Sequence, residues 1–289
     1  MKKWIVTGSA LCLAVFFASV ANAQELEGTL KKIKNSGTIV IGHNSDSPPF
    51  SFIGSDGKPE GYSIDICNAI ADALKTKLGL PNMTVKYQAV NGQTRTPLLV
   101  NGTVDMVCAT TTHTYSRTAQ MDFTSTIFVT GNQILTEKDS GIHGLMDLKG
   151  KVVSADQGTT NEKLLNVLNQ KYNLGIHILS TKDQPQAWLA LESGRSDAHL
   201  TDSVVEYGLV HKAKDPGNYA IVGDLLSFDP YAIVIRRNDT GFRAFANKVI
   251  GDLWTSGKLE KIYDKWLIPI GIPMSPALKT LFAMQAYPE

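Results

Sequence analysis

Apolar positions first cluster in a run from about Leu11 to Val20, behind Lys2 and Lys3 and ahead of small residues at Ala21 and Ala23. That is the pattern of a cleavable export leader, with cleavage after Ala23. Nothing later approaches 18 uninterrupted apolar residues, so the mature chain reads as soluble. A short polar helix around Leu30 to Lys34 then precedes "TIVIGHN", a buried strand running into a loop. In "SIDICNAIADALKTKLG" the apolar residues Cys67, Ile70, Ala71, Leu74 and Leu78 share one helical face, with Ser63 expected as N-cap and Gly79 as the stop. "MTVKYQAV", "RTPLLVNG" and "VDMVCAT" continue as strand, short helix and strand. The order β-α-β-α-β predicts a parallel sheet with right-handed crossovers.

The same order restarts at "KVVSAD", "TNEKLLNVLNQKYN", "IHILS", "QPQAWLALESG" and "SDAHLTD". Two such units in tandem predict two lobes. Between them "FTSTIFVTGNQILTEK" has no helical period, and after the second unit "LSFDPYAIVIRR" is β-rich again. Two crossings of this kind predict a hinge of paired strands, with the second lobe (131–230) inserted into the first (24–130 and 231–289). The amphipathic stretch "FRAFANKVIGDLWTSGKLEKIYDKW", broken at Gly257, belongs with the first lobe, and "MSPALKTLFAMQAYPE" reads as a short packing helix.

Charge and cysteine content narrow the function classes. Without Lys2 and Lys3 the chain carries 26 basic and 27 acidic residues, which leaves no electrostatic footprint for nucleic acid. Cys67 and Cys108 are the only mature cysteines; they read first as two small buried residues, with a bridge between them left open. Six dispersed histidines argue against a metal site, and no phosphate loop, HExxH pair or G-x-S-x-G elbow calls for a cofactor or a catalytic centre.

In open α/β sheets ligands bind outside the carboxyl ends of the strands, which selects the polar loops "HNSDSPPF", "TTTHTYSR", "DQGTT" and "LTDS". Arg117 is the leading candidate, because a guanidinium fork matches a carboxylate and keeps its charge when partly buried; a surface pair with Asp122 is the alternative. Thr110, Thr112 and Thr114 add hydroxyls. Gly158 allows close backbone approach, and Thr159 and Glu162 have capping-box spacing at a helix whose N-terminus favours an anion. Asp202 suits an ammonium. A cation, a helix N-terminus and a carboxylate on two lobes complement a zwitterion, of which an α-amino acid is the simplest.

From about Gly37 to Pro269 the chain resembles the periplasmic solute-binding proteins of ABC amino-acid importers, especially the glutamate/aspartate-binding branch. "NGTVDMVCATTT", "STIFVTGNQILTEK", "DLKGKVV", "GTTNEKLLNVLN", "SGRSDAHLTD" and "TSGKLEKIYDKW" carry the likeness. The resemblance implies a two-lobe, type II periplasmic-binding-protein fold, a periplasmic monomer, a free amino acid as ligand and a permease in the inner membrane as partner. It implies that Arg117 holds the α-carboxylate with Thr112 and the amides at Thr160, that Asp202 takes the α-ammonium beside the Thr110 carbonyl, and that Tyr62 stacks on the ligand. Where acidic-ligand members carry basic residues this chain has Asn44 and Gln184, with His43 as a further donor, so glutamate/aspartate and glutamine/asparagine both stay open. An enzyme on the same fold, using Asp46 or Asp156 as acid or base, and a soluble ligand sensor are the alternatives.

Overall fold

The structure, a computed structural model, describes residues 26–288, so the leader and its cleavage after Ala23 lie outside the described residues. The first half runs α1 (Gly28–Ser36), β1 (Thr38–His43), β2 (Asp46–Ser47), β3 (Ser51–Ile53), β4 (Pro59–Glu60), α2 (Tyr62–Leu78), β5 (Thr84–Ala89), α3 (Arg95–Val100), β6 (Met106–Cys108), α4 (Tyr115–Thr118) and β7 (Met121–Thr130). It continues through β8 (Asn132–Glu137), β9 (Val152–Asp156), α5 (Thr160–Tyr172), β10 (His177–Thr181), α6 (Gln184–Glu192), β11 (Ala198–Asp202), α7 (Ser203–Lys212) and β12 (Tyr219–Val222). The chain closes with β13 (Asp229–Arg236), α8 (Thr240–Thr255), α9 (Lys258–Leu267) and α10 (Pro276–Gln285).

Two five-stranded sheets result, ordered β5-β1-β6-β13-β7 and β10-β9-β11-β8-β12. Each has a parallel core and antiparallel outer strands: β1 pairs in parallel with β5 and β6, and β9 with β10 and β11, while β13 and β8 run against their neighbours. β7 ends at Thr130 and β8 starts at Asn132, so a single residue, Gly131, carries the chain from one sheet to the other. A side chain there would collide with the Ser227 backbone just ahead of the returning strand β13, which is why the crossing takes glycine. This is the predicted hinge of paired strands.

The predicted apolar face of α2 is buried as expected at Cys67, Ile70, Ala71, Leu74 and Leu78, and Gly79 ends the helix in the left-handed conformation. Ser63 is not the N-cap. The helix starts two residues earlier, at Tyr62 behind Gly61, and the Ser63 hydroxyl instead donates to the Ala109 carbonyl at 3.1 Å, tying α2 to the loop after β6. The larger core joins α2, α8, α9 and α10 to the first sheet. It also takes in Val204 and Val205 of α7, from the second half of the chain.

Cys67 and Cys108 form a disulfide, correcting the reading of two separate buried thiols. Two cysteines 41 residues apart carry no pairing information in sequence; only the fold brings helix α2 and the end of β6 together. Closing a loop of that length removes denatured-state entropy worth roughly 2–4 kcal/mol. Replacing both cysteines by serine is expected to lower the urea unfolding free energy by about that amount. An unchanged midpoint would show that the bridge adds nothing to stability.

Candidate functional site

The carboxyl ends of β1, β6, β9 and β11 converge on one cleft between the sheets. Its cavity is lined by Asn44, Asp46, Arg95, Thr110, Asp156, Thr160, Gln184 and Asp202, among others. The two sides touch: Thr112 Oγ1 lies 3.4 Å from Thr160 Oγ1, and a Cβ on Gly92 would fall 2.6 Å from the Gln157 carbonyl. The lobes are therefore closed on each other.

Arg117 stands on the short helix α4, capped by Thr114. Its Nη1 donates to the Thr112 carbonyl at 2.7 Å. No carboxylate lies within 4.0 Å of it among the described residues, and Asp122, the alternative partner, pairs with Arg243 at 3.6 Å. Burial lowers the Arg117 pKa, and Asp202 and Asp229 work against that shift. A desolvated guanidinium without a counter-ion is a site prepared for an anion.

Asp202 ends β11, buried, and accepts from Tyr231 Oη at 2.5 Å and from the amide nitrogens of Asn132 and Asn161 at 3.2 Å each. Burial, then the neighbouring Asp229, pushes its pKa up to about 7. Asp229 in turn accepts from Thr112 Oγ1, Asn132 and Ser227. This network laces the hinge strands to the floor of the cleft.

Arg95, absent from the sequence reading, opens α3 with its side chain buried in the cavity wall. Nη1 bonds Thr111 Oγ1 at 3.2 Å, and no carboxylate is in ion-pair reach among the described residues. Burial first, and Arg117 second, lower its pKa to about 9, so it stays charged near neutrality. "NGQTRTPLLVNG" offered a signal: a lone arginine at a helix start after a strand, where a carboxyl-end loop opens.

The other expected residues divide. Asn44 and Thr110 meet in the wall, Asn44 Nδ2 lying 3.4 Å from Thr110 Oγ1, and Gln184 and Thr160 line the second side. The Thr112 hydroxyl is engaged by Asp229. Tyr62 is a correction: it is wholly buried among Phe50, Phe128 and Tyr263, its hydroxyl donating to the Ile127 carbonyl at 2.8 Å, because the inward face of α2 points to the core. His43 is another: its Nδ1 bonds the Asn44 carbonyl at 2.9 Å and its ring packs edge-on to Tyr87. Gly158 gives its N–H to Glu162 and abuts Gly92, so it serves contact between the lobes rather than the ligand.

Asp46 faces Asp156 and Asp183 across the cleft. Burial, then Asp183, pushes Asp46 to about 6; burial pushes Asp156 to about 7, with Asp46, Asp183 and Glu162 adding. The basic groups on the same cavity are Arg95 and Lys182. Both shifts are upward from 3.8, and the share that comes from Asp46 facing Asp156 and Asp183 across the cleft is lost when the lobes part, so closure is expected to take up protons. The closed form's advantage is full below the ordinary carboxylate value and is lost as pH rises through about 6 to 7. Small-angle scattering of the ligand-free protein should show the lobes opening between about pH 5 and about pH 8, less so in Asp46→Asn. A profile flat in both proteins would rule out this coupling.

Two α/β lobes joined by crossing strands around a polar, closable cleft define a ligand-capturing protein of the type II periplasmic-binding-protein class. The chain belongs to the bacterial extracellular solute-binding proteins, family 3, matched over residues 39–269. It is 42% identical over 284 residues to an L-glutamate/L-aspartate-binding protein of Pseudomonas aeruginosa, covering 95% of this chain and 94% of the relative. To a glutamate/aspartate import solute-binding protein of Escherichia coli K12 the identity is 39%, over 94% and 93% of the two chains. Among solved structures, an ancestral arginine-binding protein bound to arginine superposes with a TM-score of 0.71 at 32% identity, over 80% of this chain and 98% of that one. These relatives are binding proteins, and this chain is one too rather than an enzyme; Asp46 and Asp156 line its cavity without a catalytic role. No helix among the described residues is long and apolar enough to cross a membrane.

Proposed function

We propose that this protein captures one polar L-α-amino acid outside the cytoplasm by closing two lobes, 24–130 with 231–289 and 131–230, and presents it to an ABC permease in the inner membrane. The observation that carries this is the pairing of a half-buried cation without an ion-pair partner among the described residues, Arg117, with a buried carboxylate, Asp202, on which its charge acts at the edge of the cleft. Arg117 takes the α-carboxylate in a two-point contact, with the free amides at the start of α5 around Thr160 assisting. Asp202 takes the α-ammonium beside the Thr110 carbonyl. An incoming ammonium also favours the ionised form of Asp202, offsetting the burial that raises its pKa. Arg95, Asn44 and Gln184 are left to the side chain. The leader is removed after Ala23, and the closed monomer docks on the permease.

Capture by closure requires the ligand to bind the closed form better than the open one. Binding groups contributed from both sides of the cleft meet that condition, since they surround the ligand together only on closure. The test is calorimetry on protein freed of ligand by unfolding and refolding, titrated with the polar amino acids. Tight one-to-one binding of at least one is expected. Heat from none of them would remove the amino-acid reading.

A further inference from the structure

Gln184 lines the cavity and is held from behind by His199. The His199 Nε2 lies 2.9 Å from Gln184 Oε1, and Gln184 Nε2 lies 3.2 Å from Thr201 Oγ1. His199 is buried, and burial lowers its pKa to about 4, so the ring is neutral and carries a single N–H. Its Nδ1 is 3.0 Å from the Ser154 backbone carbonyl, which can only accept. The proton therefore sits on Nδ1. The Ser154 hydroxyl, at 3.0 Å from the same nitrogen, has the Ala198 carbonyl at 3.3 Å as its own acceptor. Nε2 is then a lone pair, and two acceptors cannot share a 2.9 Å gap. An amide is nearly symmetric in shape, so the proton inventory decides its orientation: the Gln184 nitrogen belongs on His199 and its carbonyl on Thr201 and the cavity.

Asn44 presents the same polarity by a separate route. Ser47 Oγ donates to Asp46 Oδ1 at 3.2 Å and so accepts from Asn44 Nδ2 at 2.9 Å, which fixes that amide. Asn44 Oδ1 is left buried with no partner in the wall of the cavity. Beside it stand the carboxylates of Asp46 and Asp183, and of the two cations on the same cavity Arg95 is buried while Lys182 is exposed to water. One wall thus offers mostly acceptors around a single buried guanidinium.

We infer that the side chain of the captured amino acid ends in a neutral carboxamide rather than a carboxylate, and that His199 is the positioning residue that turns the Gln184 carbonyl toward it. The carboxamide oxygen meets Arg95, and its two N–H groups meet Asn44 Oδ1 and the Gln184 carbonyl. A terminal carboxylate would set lone pairs against both acceptors and a second anion beside Asp46. A site built to accept hydrogen bonds discriminates strongly against an analogue that cannot donate them. The inference rests on the amino-acid reading above.

The experiment titrates refolded wild-type protein and His199→Gln with glutamine, asparagine, glutamate and aspartate. In the wild type the preferred amide should bind at least about tenfold tighter than its own acid, and the ratio should narrow in the variant. An acid bound more tightly than its amide overturns the carboxamide. A variant that loses affinity for both in parallel, with the ratio kept, overturns the positioning role. Nitrogen-15 NMR of the wild-type imidazole is independent of whether the variant folds: a proton on Nδ1 is expected, and one on Nε2 overturns the orientation of Gln184. Binding of none of the four would instead overturn the amino-acid reading itself, a result distinct from the wrong preference.

Discussion

Arg117→Ala is expected to weaken amino-acid binding by roughly 2–5 kcal/mol, about 30-fold to several thousand-fold, while leaving the fold intact. The guanidinium is already partly stripped of water and aimed by its bond to the Thr112 carbonyl, so little ordering remains to be done when a carboxylate arrives. Removing it leaves Asp202 and Asp229 with Arg95 as the remaining guanidinium near them, and the ligand α-carboxylate without its fork. Stability should hold, because Arg117 pairs with no carboxylate among the described residues and its burial is unfavourable to the empty protein. Arg117→Lys should recover only part of the affinity, since a point charge cannot make the two-point contact. Calorimetry beside urea unfolding separates the two effects, and an affinity within about threefold of wild type would remove Arg117 from the site.

Asp105→Ala should have the opposite signature, a loss of about 3 kcal/mol in stability with ligand affinity retained in the folded fraction. Asp105 is fully buried just before β6. Its Oδ1 accepts from Lys32 Nζ at 2.7 Å and Arg236 Nη2 at 3.0 Å, and its Oδ2 from the Val40 N–H at 2.9 Å. One carboxylate therefore ties α1, β1 and β13 together at the end of the sheet away from the cleft. The loss stays at the low end for a buried pair because the Lys32 and Arg236 side chains are 39% and 20% exposed and reach water when the anion goes. Urea unfolding reads the loss directly. A midpoint shift with an altered ligand affinity would mean that the sheet end communicates with the cleft.

The alternation of apolar runs and helical faces carried most of the architecture. Both β-α-β-α-β units, the break at Gly257 and the two β-rich crossings are periodic or compositional signals, and burial of the Cys67 to Leu78 face shows why they are legible: a repeating pattern specifies which side goes inward. The proposed site was legible where a residue type matched a position at a strand's carboxyl end, as with Asp202, which the structure buries at the end of β11. It was not legible for Arg95, Tyr231, Asn132 or Asn161, which reach the cleft through packing between elements far apart in the chain. Tyr62 and His43 failed for the converse reason, as residues near a site in sequence whose side chains turn to the core and to Tyr87.

The sequence by itself determined the two-lobe α/β class, the hinge, the residues proposed to meet a zwitterion and the kinship with extracellular solute-binding proteins. Each is written in local periodicity or in a residue's chemistry at a strand end. Only the tertiary structure decided that Cys67 joins Cys108, that Arg95 is a buried cation in the cavity wall and that Asn44 leaves an acceptor free there. Those facts depend on which donors and acceptors remain unspent once distant elements pack, and a linear pattern does not record that remainder.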